Sequence, residues 1–180
     1  MPSAEGPRTA PASRVHAPER EGRQVALGAV FEADFGQRTA PVVLERRLAD
    51  GDVGARAMSL ARRIVVAVVD QRVTIDAEIE RAAPAYPVVQ LARIDRALLR
   101  CAMGELLHCP TTPARVAISE WVELARTYSG EPTRRLMNGV LGSVARQQKD
   151  AVASAPDETL RDPASATDGV TTAQTEGPAE

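Results

Sequence analysis

Between residues 27 and 144 the apolar side chains recur every three or four positions almost without a break, a period that admits a helical fold and little else. Leu27, Val30, Phe31 and Phe35 follow i, i+3, i+4, i+8. Val53, Ala57, Leu60, Ile64 and Val68 hold one face through a second long segment. A shorter element around 42–48 lies between them, and Ile75, Ile79 and Ala82 mark another short stripe. Pro84 and Pro87 then break the chain. A long helix is expected over about 88–108, with Leu91, Ile94, Leu98 and Ala102 on one side. Thr112 followed by Pro113 reads as a helix start, a capping hydroxyl and then proline at the first helical position. That helix is expected to bury Ile118, Val122 and Ala125 and to stop at Ser129 and Gly130. Pro132 and Thr133 open the last helix, with Leu136, Val140 and Val144 inward. The apolar run 64–69 would suit a strand, but its flanks are helical and no partner strand is in sight. The expected class is all-α, with six or seven helices and no sheet.

The two ends differ from this body. Residues 1–18 carry four prolines among Ser, Gly and Ala and read as a disordered arm. Residues 149–180 are mostly small and polar and read as a disordered tail holding seven acidic and two basic side chains. The domain is therefore expected over 19–148. With that tail set aside, 20 basic residues face 17 acidic ones, a mildly basic body compatible with nucleic-acid contact. Lys149 is the sole lysine, so arginine abundance by itself says little about ligands.

The 180 residues hold one Trp, two Tyr and two Phe, so the core must be built from Ala, Val, Leu and Ile. No apolar run is long enough to span a bilayer and the start lacks a secretory leader, which makes the cytoplasm the expected compartment. Cys101 and Cys109 sit eight residues apart on a predicted helix, about 12 Å along its axis, too far for a disulfide. They read as buried thiols. No CxxC or HExxH spacing offers a metal site, and neither a nucleophile–base pair nor a phosphate-cradling glycine loop is visible. The chain is accordingly read as a non-enzyme that needs no cofactor.

The segment that carries most identity runs from Ile94 to Leu141. It contains Ile94-Asp95-Arg96-Ala97-Leu98-Leu99-Arg100, then Glu105-Leu106-Leu107, then Val116-Ala117-Ile118-Ser119-Glu120. Val122-Glu123-Leu124-Ala125-Arg126, Tyr128-Ser129-Gly130 and Asn138-Gly139-Val140-Leu141 follow. This ordered set resembles the NusB family, and Arg23, Ala26, Leu27, Val30 and Phe31 look like that family's opening helix. The resemblance covers about 20–146. Ser119 stands where the family usually has Asn, and Leu136-Met137 where it has Phe-Val. The resemblance implies two packed helical subdomains. It also implies a transcription antitermination factor that binds boxA-type single-stranded RNA together with NusE, a small-subunit ribosomal protein. The setting would be the antitermination complex on RNA polymerase that supports transcription of ribosomal RNA.

Several residues read two ways. Arg14, Arg20 and Arg23 would grip RNA phosphates and stack on bases if the arm and first helix lie on RNA, or would be solvated surface charge. Arg134 and Arg135 open the last helix, where free N–H groups favour an anion, and Tyr128 just before them would stack a base. Otherwise Tyr128 is a helix-corner residue and the arginines face solvent. Asn138-Gly139, inside a helix, is read first as close helix packing with the Asn bonded to a neighbouring backbone, and second as RNA contact. Asp95, Arg96, Arg100 and Glu105 would form ion pairs or a solvated face, and the resemblance makes Phe31 and Asp95 candidates for the NusE surface. Trp121 is read as packing. Two rivals remain open: a protein–protein module without RNA binding, for which a homodimer is one form, and a stand-alone relative of the NusB-like domain of ribosomal RNA methyltransferases.

Overall fold

The computed structural model describes residues 17–154, and among them every regular element is helical. The order is α1 (Ala17–Ala33), α2 (Ala40–Asp50), α3 (Ala55–Asp70), α4 (Arg72–Ala82), a short 3-10 turn at Val88–Gln90, α5 (Arg93–His108), α6 (Ala114–Tyr128) and α7 (Glu131–Ser154). Seven α-helices and no strand match the expected class; the run 64–69 lies inside α3. Arg14 and His16 lie outside the described residues.

The helices α1, α2 and α3 pack on one another, α4, α6 and α7 gather on the other side, and α5 touches both groups. Its centrality is legible in its chemistry. Residues 97–105 are buried on every face, including Arg100 and Glu105, as expected of a helix inside a bundle rather than on its surface. Two glycines let backbones approach. A Cβ on Gly22 of α1 would lie 2.6 Å from the Ala57 carbonyl oxygen of α3, and one on Gly104 of α5 would lie 3.0 Å from a Val68 methyl of α3. Leu60, Ile64, Leu98, Leu99 and Met103 are fully buried members of the one hydrophobic core.

Four local expectations are revised. The segment 88–108 is not one helix, because Val88 is buried and its N–H is taken by Glu80 Oε1 at 3.0 Å, which pins a separate turn before α5 begins. Thr112 does not cap α6; Pro113 occupies the cap position and no side chain bonds the free N–H groups. The inner stripe of α6 is Ala117, Trp121, Leu124 and Ala125, with Ile118 and Val122 only half-buried. Phe35 is turned outward, half exposed, in the corner after α1. A further revision falls at the far end, where 149–154 (Lys-Asp-Ala-Val-Ala-Ser) were expected in the disordered tail but continue α7, while 155–180 lie outside the described residues.

Candidate nucleic-acid interface

Helices α6 and α7 form a hairpin whose turn is Ser129-Gly130. Gly130 takes φ 107°, a left-handed conformation open to glycine, and both N–H groups of the turn donate to the Ala125 carbonyl, at 2.9 and 3.0 Å. Asp95 in the first turn of α5 accepts hydrogen bonds from Ser129 Oγ and from Thr133 Oγ1, the latter at 3.1 Å. The hairpin tip is thereby fastened to the central helix.

Along this hairpin runs a groove of about 520 Å³ to which Arg20 of α1, Arg115 of α6 and Arg134 of α7 all contribute. Ile118 and Val122 give it an apolar floor, and Ser119 and Asn138 add neutral hydrogen-bonding groups. Three guanidinium groups over an apolar strip with amide and hydroxyl donors suit a strand that presents phosphates outward and bases inward. Carboxylates are interleaved. Glu120 Oε2 lies 3.9 Å from Arg20, and Glu131 holds Arg134 through two bonds of 2.7 and 2.8 Å while also accepting from Arg135 at 3.1 Å. Hydrogen bonds from Arg134 and then Arg135 depress the Glu131 carboxyl to about 2. Arg115 is the exception: exposed, it has no ion pair among the described residues.

Arg23 does not belong to this surface. It is 1% exposed and forms a bidentate pair with Glu105, Nε to Oε2 at 2.9 Å and Nη2 to Oε1 at 2.8 Å. Trp121 Nε1 donates to the same Glu105 at 2.7 Å, which confirms the Trp as a packing residue with its polar edge satisfied. Arg23 is thus corrected from a phosphate ligand to a core residue. Its remaining nitrogen, Nη1, sits 3.8 Å from Glu120 Oε2, so Glu120 stands between the core arginine and the groove arginine Arg20.

The other sequence candidates divide. Tyr128 is half exposed, and its hydroxyl accepts from Gln24 Nε2 at 3.3 Å. Gln24 is one helical turn below Arg20, so Tyr128 extends the groove along α1 rather than lining it. Arg135 is exposed and joins the groove only through Glu131. Asn138 is exposed in the groove, and Gly139 has open space where a side chain would go, so close helix packing does not explain that pair. Phe31 packs its ring edge-on to Phe35, centroids 5.3 Å apart, and the Arg93 guanidinium covers Phe35 at 4.5 Å. Asp95 points the other way, into the hairpin tip, so Phe31 and Asp95 are not brought onto one patch by direct contact. Arg96 and Arg100 are not solvated: both bond Asp34, and Arg100 also grips Asp76 at 2.8 Å through two nitrogens. Cys101 and Cys109 are buried free thiols whose ionisation burial pushes up.

Bundle and groove together define a small helical binding protein whose polar face is made of arginines at helix ends. Residues 20–146 match the model of the NusB family, and the chain belongs to that family. The transcription antitermination protein NusB of Dehalococcoides mccartyi (strain CBDB1) is 37% identical over 131 residues, covering 73% of this chain and 92% of that protein. Its counterpart in Chloroflexus aggregans is 40% identical over 124 residues, covering 68% and 83%. Among solved structures, T. maritima NusB superposes with a TM-score of 0.67 at 29% identity over 73% of this chain and 92% of that one. A chain of the crystal structure of antitermination factors NusB and NusE in complex with dsRNA shares the fold, with a TM-score of 0.65 at 19% identity over 72% of this chain and 97% of that one.

Proposed function

We propose that this protein is a non-enzymatic transcription antitermination factor of the cytoplasm that binds boxA-type single-stranded RNA jointly with NusE. The observation that carries the reading is the convergence of Arg20, Arg115 and Arg134 on one groove with an apolar floor. The names of the relatives support the antitermination role, and a protein of this fold has been crystallised with NusE and RNA. Arg20, Arg115 and Arg134 contact phosphates, Asn138 and Ser119 contact base or sugar edges, and Tyr128 and Arg135 extend the path at its rim. Arg14, three residues before α1 in the sequence, adds charge upstream. Phe31, with Asp95 holding the hairpin tip, belongs to the NusE side, and the assembly acts on transcribing RNA polymerase. No helix among the described residues is long and apolar enough to cross a membrane.

The test is a titration of the protein, alone and with NusE, against labelled boxA RNA and a scrambled RNA of equal length. Tighter binding of boxA in the presence of NusE is expected. Equal affinity for the two RNAs rejects specific recognition.

A further inference from the structure

A second cationic site lies at the other end of α1. Asp34 there is shared by four arginines: Arg96 bonds it directly, Arg100 lies at 3.4 Å, and Arg72 and Arg93 each lie at 3.9 Å. Arg38 stands beside them, exposed and without an ion pair among the described residues. Asp76 answers Arg100 through two hydrogen bonds, and Asp34 is the carboxylate the other paired arginines share. Three of the five, Arg38, Arg72 and the buried Arg100, line a groove of about 640 Å³ whose apolar wall is Val69 and Pro41, with the buried Val68 behind them. Positive charge around an apolar cleft calls for an acidic segment with a few apolar side chains.

The chain supplies one. Residues 155–180 hold six carboxylate side chains against Arg161 alone, with Leu160 and Val170 among them. Their point of departure is favourable. Ala151 near the end of α7 lines a cleft together with Thr74, two residues from Arg72. From Arg134, by contrast, α7 runs twenty residues to Ser154, roughly 30 Å at a helical rise, so the segment starts far from the Arg20–Arg134 groove. Twenty-six residues reach up to roughly 86 Å, several times the radius of gyration of about 14 Å expected for a domain of this size. Tethering holds such a segment at an effective concentration on the order of millimolar, enough for weak ion pairs to be occupied.

We propose that the acidic segment 155–180 docks on the groove formed by the α1–α2 corner, the α3–α4 corner and α5, with its carboxylates on the exposed Arg38 and Arg72. The test needs neither RNA nor NusE. The full chain carrying S165C is labelled with a nitroxide; the native thiols are buried and leave the new one as the reactive group. Loss of amide NMR intensity is expected around Arg38, Val69 and Arg72. It should persist on dilution, disappear at 1 M salt, where screening shortens to about 3 Å, and disappear in R38E/R72E, both exposed positions. The salt arm needs no second variant. Absence of broadening, broadening centred on Arg115 and Arg134, or broadening that grows with protein concentration overturns the proposal, the last by assigning the groove to a second copy.

Discussion

Trp121 and Arg23 meet on one carboxylate oxygen: the indole N–H and the guanidinium Nε–H both donate to Glu105 Oε2, at 2.7 and 2.9 Å. All three side chains are at most 1% exposed. Removing one partner of a buried pair leaves the other charged and unsolvated, which typically costs about 3–5 kcal/mol. E105A should therefore lower unfolding stability by about that much in urea, and E105Q by less, since an amide oxygen still accepts. A loss below about 1 kcal/mol for E105A would show that the cluster is not a structural anchor.

Glu131 sequesters two of the arginines proposed to meet RNA. E131Q keeps the size of the side chain and removes its charge, so Arg134 and Arg135 become available to phosphate. Tighter RNA binding at low salt, with the gain fading as salt rises, is the expected outcome by fluorescence anisotropy. Weaker binding would mean that Glu131 orients the arginines rather than competing for them.

The same carboxyl supplies a pH prediction. Because its folded value of about 2 lies below the ordinary carboxylate range, its pairing is intact above that range and is lost as pH falls toward 2. Wild type and E131Q should have parallel stability profiles above pH 5, and the wild type should lose its small advantage between about pH 4 and 2. A Glu131 carboxyl titrating near 4 by NMR would contradict the pairing.

Arg115 has no ion pair among the described residues, so R115A should weaken RNA binding without touching the fold. On single-stranded RNA each lost phosphate contact should also flatten the slope of log K against log salt by about 0.7. An unchanged slope would place Arg115 off the RNA path.

Two glycines give opposite expectations. G22A drives a methyl against the Ala57 carbonyl and should cost about 1–3 kcal/mol. Gly139 has nothing within 4 Å, so G139A should raise stability by about 0.5–1 kcal/mol through helix propensity. If G139A also weakens RNA binding, the glycine serves backbone approach by the ligand. Urea midpoints and RNA titrations on both variants decide.

The helical class was legible because an apolar period of three to four needs only the chain itself. Burial of charge left a signal as well, which the reading of Arg23 as a phosphate ligand passed over. Arg23 stands at i, i+3, i+4, i+7 with Ala26, Leu27 and Val30, and Glu105 completes the same spacing after Leu98, Cys101 and Ala102. Each charged residue occupies a slot in the buried stripe, and they pair across 82 positions. What one helix cannot reveal is which of two adjoining apolar faces turns inward. Ile118 and Val122 were read as core, yet Trp121 takes that side and leaves them to floor the groove, with Arg115 on their face. The cluster around Asp34 draws arginines from α4 and α5, and only their convergence in space makes it visible.

The close approach of Gly22 to Ala57 seats α1 backbone to backbone on α3. Arg20 and Phe31 both stand on α1, whose rise holds them about 17 Å apart along the axis. If the proposed sites hold, the first helix works as a caliper: a ribonucleotide strand at one jaw and a protein ligand at the other would be gauged against one rigid rod, so an assembly touching both ends would be selected by span as well as by chemistry.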